Sequence, residues 1–401
     1  MPAVKTTALR VRLSDDLSTG VRSFQAGGKK SPMERSLLPT DNVQHTYPRA
    51  PQRVYWEITR SCDLACRHCR AEAAPHADPT ELTTAEGREL LKRVAAFGEP
   101  LPHVVLTGGD PLKRKDLFEL VAAARELGLR VSVAPSATPL LTPDALRQLR
   151  AAGIDAISLS LDGSTAADHD DIRGIPGTFD RTMEAARIAR EMGLPFQVNT
   201  LVCAETVDDL PAIHDMVTAI GAARWSLFFL VTVGRGQVLQ PVSAERAEAL
   251  LGWVASLAGP PGRGRLVVTT TEAPQLRRVV AERGRDGSPH SAAGIRDGNG
   301  IVFISHTGDI CPSGFLEIST GNVRRDDLVE IYRGAPLFLK LRDPGTFGGR
   351  CGRCEYRWLC GGSRARAYST SGDPLAEDPL CTHDPASVEV AAEVDKPANR
   401  M

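Results

Sequence analysis

Three cysteines stand within eight residues, in the order Cys62-x3-Cys66-x2-Cys69. Three thiolates at this spacing can wrap a single [4Fe–4S] cubane. A cubane has four irons, so three protein ligands leave one iron open, as catalytic metal sites keep an open position and structural ones are closed. An open iron can chelate an amino group and a carboxylate. The same spacing also admits a zinc site, or a structural cluster that borrows a distant fourth ligand. A second group lies near the other end: Cys351-x2-Cys354-x5-Cys360, then Cys381, with Cys311 upstream. Four cysteines close a cluster, which then serves structure or electron transfer; a zinc ribbon is the alternative. Cys203, the last of nine cysteines, reads as a small buried hydrophobe. An odd count gathered in two groups argues for metal ligands rather than a secreted disulfide scaffold.

These ligands need elements to hold them. From Arg53 onward, short apolar runs at 54–58, 104–106, 131–134, 156–161, 195–201 and 225–230 alternate with amphipathic stretches at 84–97, 115–127, 143–152, 178–192, 208–220 and 244–257. Six strand–helix units in series predict an α/β fold with a parallel sheet and right-handed crossovers. The expected form is a partial, TIM-like (β/α)6 barrel, with ligands at the C-terminal ends of its strands. Helix starts are expected at Thr84, ahead of Ala85-Glu86-Gly87, and at Thr142-Pro143-Asp144. The expected organisation is a mobile leader at 1–45, the barrel at 46–260 and a Gly- and Pro-rich linker at 261–300 with one strand at 266–270. A cysteine-rich iron–sulfur module at 301–385 and a tail at 386–401 complete it. A hint of a strand at 8–17 is the leader's one pattern.

The rule about strand ends selects candidates. The cysteine trio follows the first strand directly. Gly108-Gly109-Asp110-Pro111 ends the second; without side chains, its backbone can approach a ligand closely, and its carbonyls and Asp110 can receive an ammonium group. Ser158-Leu-Ser160-Leu-Asp162-Gly163 closes the fourth, with His169 to Gly174 behind it; Ser160 suits a ribose or carboxylate, and the fork of Arg173 suits a carboxylate. Asn199 in the fifth strand is a weaker candidate, and Ser136 after the third weaker still. Each has a bland alternative as a turn or pleat residue.

Composition narrows the classes. The chain has 401 residues, 42% of them hydrophobic, enough for a large core. A net charge of −1 gives no electrostatic case for nucleic acid or an anionic membrane. No apolar run is long enough to span a bilayer, and the N-terminus lacks a secretory pattern, so a cytoplasmic enzyme is the expectation.

Cys62-x3-Cys66-x2-Cys69, Gly108-Gly109-Asp110 and the Ser-Leu-Asp-Gly strand end resemble the radical S-adenosylmethionine (SAM) superfamily over residues 53–230. The resemblance implies SAM on the open iron and reductive cleavage by a low-potential donor such as flavodoxin or ferredoxin. The resulting 5′-deoxyadenosyl radical takes hydrogen from the substrate. It puts His68 beside the adenine, and Gly108, Gly109, Asp110, Ser160, Arg173 and Asn199 around SAM; no catalytic residue beyond cluster and SAM is implied. The C-terminal cysteines resemble the SPASM (twitch-like) extension, with Cys351, Cys354, Cys360 and Cys381 matching the ligands of one auxiliary cluster. Cys311 matches the first ligand of another, but the family's next cysteine is absent after Gly321, and Gly361-Gly362-Ser363 stands where one often follows Cys360. Cys311 is therefore a partial ligand, a substrate contact or a core thiol.

Arg364 to Tyr368 and Cys311-Pro-Ser-Gly-Phe look like the haem-biosynthesis and peptide-maturation branch. The expected activity is oxidative decarboxylation or oxidation of a carboxylated small molecule, a tetrapyrrole or natural-product intermediate, by an oxidoreductase or lyase. Maturation of a ribosomal peptide and a non-enzymatic electron carrier or scaffold are the alternatives. Arg235, Arg364 and Arg366 are candidate partners for a propionate, and His290 and His306 for a haem iron, each with an ordinary structural alternative.

Overall fold

The fold begins with a strand that must be buried on both faces. Residues 53–59 read Arg-Val-Tyr-Trp-Glu-Ile-Thr, and their burial is near-continuous rather than alternating, as in a parallel sheet covered by helices on its faces. The computed structural model describes residues 46–257, 266–284 and 294–385. The expected leader with its strand at 8–17, the tail from 386 and His290 lie outside them.

The six expected strands form as β1 (Arg53–Thr59), β2 (His103–Gly108), β3 (Arg130–Val133), β4 (Ala156–Ser160), β5 (Phe196–Val202) and β6 (Arg224–Phe229). Three more follow: β7 (Val267–Thr271), β8 (Ile301–Ile304) and β9 (Ile310–Cys311). The sheet order is β7-β6-β5-β4-β3-β2-β1-β8-β9, parallel throughout except for β9 against β8. This is a partial (β/α)6 barrel widened at both edges. The strand expected at 266–270 extends the sheet beside β6 instead of lying in a linker. Within the expected C-terminal module, β8 adds parallel to β1, Val54 opposite Val302.

The crossovers are α1 (Thr84–Ala95), α2 (Leu117–Glu126), α3 (Pro143–Ala151), α4 (Ala166–Arg173), α5 (Thr178–Glu191), α6 (Leu210–Ile220) and α7 (Ala244–Leu257). The later part adds α8 (Gln275–Glu282), α9 (Leu328–Gly334), α10 (Pro336–Arg342), α11 (Gly349–Arg353) and α12 (Arg364–Ser371). α1 is capped by Thr83 rather than Thr84: its hydroxyl accepts from the Glu86 N–H, and the Glu86 carboxylate accepts from the Thr83 N–H. Thr142 caps α3 with Pro143 in the first turn, as expected. α4 is an addition; it puts His169 and Arg173 one turn apart on one face. The core holds Trp56, Leu106 and Trp225 among its fully buried side chains, and Trp225 Nε1 donates to Thr200 Oγ1 at 2.8 Å. Among the described residues no helix is long and apolar enough to cross a membrane.

The turn after β7 carries an unusual acid. Glu272 has φ 58°, in the left-handed region, and accepts a short hydrogen bond from the Ser363 hydroxyl. Burial and the nearby Asp297 push its carboxyl up to about 8, against the pull of Ser363 and Arg366. The folded chain thus keeps a proton that the unfolded chain has released above about 4.5, so this group makes stability fall as pH rises from there to about 8. Glu272→Gln should flatten that fall, by up to about 1.4 kcal/mol per pH unit. Denaturant melts of wild type and variant between pH 5 and 8 measure it; equal slopes would show that Glu272 ionises normally.

Candidate functional site

The segment after β1 turns over the C-terminal edge of the sheet and brings its cysteines to the strand ends. There a cavity of about 230 Å³ is walled by Cys62, Cys66 and Cys69, by the glycines after β2, and by residues from the ends of β3 to β6. His68, Gly108, Gly109, Ser160, Arg173 and Asn199, singled out from sequence, all line it, as do Ser136 and Ser158.

Glycine is needed at two of these positions for a reason other than ligand access. Gly108 has φ 148°, and a Cβ there would stand 2.2 Å from the Thr59 carbonyl oxygen. At Gly109 it would stand 2.4 Å from the Ser61 carbonyl oxygen. The bare backbone lets the cysteine segment dock on β2, where Gly109 N donates to Thr59 O at 2.8 Å and Asp110 N to Ser61 O at 2.7 Å.

Asp110 departs from expectation. Its carboxylate accepts from Leu112 N, from Ser136 N and, at 2.6 Å, from the Thr138 hydroxyl. It is fully buried and absent from the cavity wall, so it organises the turn instead of facing a ligand. Ser136 donates to Gly109 O at 2.8 Å and accepts from the Cys62 thiol at 3.6 Å.

Each thiol receives an N–H: Leu64 N donates to Cys62 Sγ at 3.4 Å, Arg173 Nη1 to Cys66 Sγ at 3.7 Å and Ala73 N to Cys69 Sγ at 3.5 Å. Such contacts favour thiolate. Without a metal, burial pushes the Cys62 and Cys66 thiols up, so metal binding must release protons. No fourth cysteine lines the cavity. Four residues on its wall keep buried nitrogens without a hydrogen-bond partner: His68 Nδ1, His169 Nε2, Arg173 Nε and Arg235 Nη2. A donor set of three thiols with one corner free, beside unpartnered nitrogens, fits a cubane with a chelated ligand. A tetrahedral zinc site would draw sulfurs to about 3.8 Å of one another. Among the described residues the only group of three ligand atoms all within 4.8 Å is Cys354, Glu355 and His383.

Two buried acids, which sequence reasoning passed over, hold this arrangement. Asp162, part of the motif that closes β4 but not itself chosen as a candidate, pairs with Arg173 and accepts from Leu201 N at 2.7 Å. Burial would raise its pKa, but Arg173 outweighs it and the carboxyl is held low. Glu57 in β1 pairs with Arg70 at 2.9 Å and accepts from Arg60 and from His306 Nδ1, each at 3.0 Å. Burial is overcome by Arg70, His306 and Arg60, which hold its carboxyl down to about 2. A lone acid inside an apolar strand was the available signal.

The candidate propionate partners are otherwise engaged. Arg235 donates to Cys66 O and Ala73 O, each at 3.0 Å, and so clamps the cysteine segment. Arg364 donates to Pro374 O, Ala376 O and Cys351 Sγ, and Arg366 pairs with Asp378 at 3.1 Å. His306 is buried on Glu57, away from the cavity.

Cys351, Cys354, Cys360 and Cys381 line one separate pocket beside α8. Their sulfurs accept from Asp378 N, Tyr356 N and Gly362 N at 3.4–3.5 Å. Cys311 lines neither site. It is buried on β9 opposite Phe303, where burial, then Glu317 and Asp309, push its thiol up to about 12. Cys203 is fully buried, with its sulfur 3.6 Å from Thr206 Oγ1.

A family model described as the radical SAM superfamily matches residues 56–217. The chain is 38% identical over 344 residues to an AdoMet-dependent heme synthase of Nitratidesulfovibrio vulgaris, covering 83% of this chain and 92% of that protein. It is 29% identical over 363 residues to a pre-heme d1 synthase of Dinoroseobacter shibae, covering 86% and 89%. The structure of Streptococcus suis SuiB bound to S-adenosylmethionine superposes with a TM-score of 0.64 over 84% of this chain and 78% of that one, at 17% identity, a likeness of fold. The chain belongs to the radical SAM superfamily. Within it, the chain is similar to proteins named for the synthesis of heme and of its d1 relative.

The clamp can be tested. Arg235→Ala removes two hydrogen bonds from a charged group, each worth about 1.5–3 kcal/mol. It should lower iron bound at the N-terminal trio while leaving C-terminal iron in place, as read by iron per chain and by electron paramagnetic resonance. Full iron loading with a raised KM for a carboxylated substrate would return Arg235 to the substrate.

Proposed function

We propose that this chain is a cytoplasmic radical SAM enzyme that oxidises a carboxylate-bearing tetrapyrrole on the way to a heme, by oxidative decarboxylation of a propionate side chain. The observation that carries the reading is the three-thiol cavity wall without a fourth cysteine, in a chain 38% identical to an AdoMet-dependent heme synthase over 92% of its length. Cys62, Cys66 and Cys69 would hold the [4Fe–4S] cluster, and Cys351, Cys354, Cys360 and Cys381 an auxiliary one within residues 301–385. Bound cluster and SAM supply the radical that starts the reaction once a low-potential donor such as flavodoxin or ferredoxin provides an electron.

The protein's own residues orient and enclose. The backbone at Gly108 and Gly109 and the side chains of Ser160, Asn199 and Arg173 surround the place for SAM, with His68 beside its adenine. Asp162 keeps Arg173 fixed and charged while its Nε stays available. Phe228, Phe229, Val231 and Phe315 make part of the wall apolar, which favours a flat conjugated substrate and keeps water from a reactive centre.

Anaerobic reconstitution with iron and sulfide, then reduction with dithionite in the presence of SAM, tests the class: 5′-deoxyadenosine should form. Cys66→Ala should reduce it to background while retaining C-terminal iron. Supplying iron-coproporphyrin tests the substrate, the expected result being loss of CO2 from propionates. If 5′-deoxyadenosine forms and no tetrapyrrole is consumed, the substrate assignment fails while the class stands. If Cys66→Ala still cleaves SAM, the ligand assignment fails.

A further inference from the structure

Cys360 is followed by two glycines in the left-handed region, Gly361 at φ 72° and Gly362 at φ 63°. A Cβ on Gly361 would stand 3.1 Å from Arg296 Nε. One on Gly362 would stand 2.5 Å from Arg364 Nη2 and 3.0 Å from Cys351 Sγ. The glycine pair therefore leaves room for two guanidinium groups beside the C-terminal cysteines. Both lie over the ring of Phe347, their Cζ atoms 5.6 and 4.5 Å from its centroid. A third guanidinium is anchored to the residue before Cys360, Arg277 Nη1 donating to Leu359 O at 3.5 Å and Nη2 to Ile295 O at 2.7 Å.

Three other arginines of this region have carboxylate partners, and half-buried Arg357 donates to Cys354 O at 3.2 Å. Arg366 pairs with Asp378, Arg278 with Glu248 and Glu282, and Arg350 with Glu377. Arg277, Arg296 and Arg364 do not: among the described residues none of them forms an ion pair. Arg364 is fully buried, and its acceptors are carbonyl oxygens and Cys351 Sγ, at 3.5 Å. Arg296 is 5% exposed, donates to Gly294 O, and leaves Nε and Nη2 without a partner. The nearest acids are committed elsewhere. Asp297 accepts from the backbone N–H groups of Arg364 and Ala365, and Asp378 from Ser363 N, Gln275 and Arg366. A buried cation without a counter-ion costs several kcal/mol. Four metal-bound thiolates in the adjoining pocket are the negative charge that would offset it.

We propose that Arg277, Arg296 and Arg364 are the counter-charge of a cluster held by Cys351, Cys354, Cys360 and Cys381, and that they raise its reduction potential. This rests on the reading that the quartet holds an iron–sulfur cluster. Reduction takes up one electron and makes the site one unit more negative, with no bond made or broken. Fixed positive charge and an N–H···S bond both favour that more negative state. The three arginines are positioning residues of an electron acceptor, and they touch no substrate.

The test is a potentiometric titration, followed by electron paramagnetic resonance, of full-length, cluster-loaded protein. A Cys66→Ala background removes the N-terminal cluster's signal. Arg296→Gln should make the auxiliary cluster about tenfold harder to reduce at a given potential, a downward shift of about 59 mV for one electron. Arg296→Lys should restore at least half of it, and Arg277→Gln should shift the midpoint in the same direction. Iron and sulfide are quantified first: a quartet loaded with zinc alone, or lacking a cluster signal, defeats the underlying reading. With the cluster present, unchanged midpoints in both Gln variants overturn the inference. If Arg296→Gln fails to hold the cluster and Arg296→Lys holds it, charge is what the site requires and the inference stands. If neither holds it, shape is what matters and the inference falls.

Discussion

A methyl group on Gly108 would stand 2.2 Å from the Thr59 carbonyl oxygen, and one on Gly109 2.4 Å from that of Ser61. This backbone-on-backbone approach sets where the cysteines lie. β1 and β2 pair in register from Arg53 opposite His103, and the register shifts between Glu57 and Thr59 as the chain leaves the sheet. From there the segment is held to β2 by main-chain hydrogen bonds, which carry little freedom. Arg235, arriving from beyond β6, then bridges two of its carbonyls. Arg173, at the end of α4, reaches Cys66 Sγ from another side. Three thiols are thereby presented to one cavity by contacts from three crossovers, which is what a preorganised metal site requires.

Behind the cysteine segment, charge does a comparable job. Glu57 is fully buried, and its carboxylate is kept ionised by Arg70, which directly follows Cys69, and by His306, from the turn between β8 and β9. One acid thus ties together the first strand, the cysteine segment and the C-terminal part of the chain. Removing one partner of such a pair would leave a buried charge uncompensated, at about 3–5 kcal/mol. Arg70 also lies over Phe303 of β8, 4.6 Å from the ring centroid. The C-terminal part is therefore no separate appendage: β8 completes the sheet beside β1, and its following turn supports the site.

The local features were legible because their physics is local. Apolar runs of strand length separated by amphipathic stretches disclosed six strands within a residue or two of their positions. Cysteine spacing disclosed both groups. What escaped was set by distant partners. β8 carries an apolar run too short to announce a sheet neighbour, and its pairing with β1 joins residues about 250 apart in sequence. Asp110 looked like a ligand because it follows two glycines at a strand end; its actual partners, Thr138 and Ser136, lie a strand and a turn away. The glycines beside it were read as room for a ligand; they do line the cavity, and the missing side chains also let the cysteine segment dock on β2. Arg235, Arg364 and Arg366 carry the right charge for a propionate, but type alone cannot tell a free guanidinium from one already bonded to carbonyls or to Asp378.

The two cysteine groups differ in how many of their arginines lack a carboxylate partner, and this gives the proposed chemistry a direction. At the N-terminal trio two arginines are neutralised, Arg173 by Asp162 and Arg70 by Glu57 and Glu317, and a third, Arg235, bonds only to carbonyl oxygens. Most of the positive charge there is offset before any cluster is considered, so the surroundings give less help to a state with one more negative charge. A site that must deliver an electron to a sulfonium needs such a low potential. At the quartet, Arg277, Arg296 and Arg364 have no carboxylate partner, and added negative charge is favoured. Removing a hydrogen atom and then CO2 from a propionate leaves one electron to be taken up, and an acceptor works only if its potential lies above that of the donor radical. On the proposed reading, one unpaired arginine at the first centre against three at the second helps to separate the two potentials within a single fold.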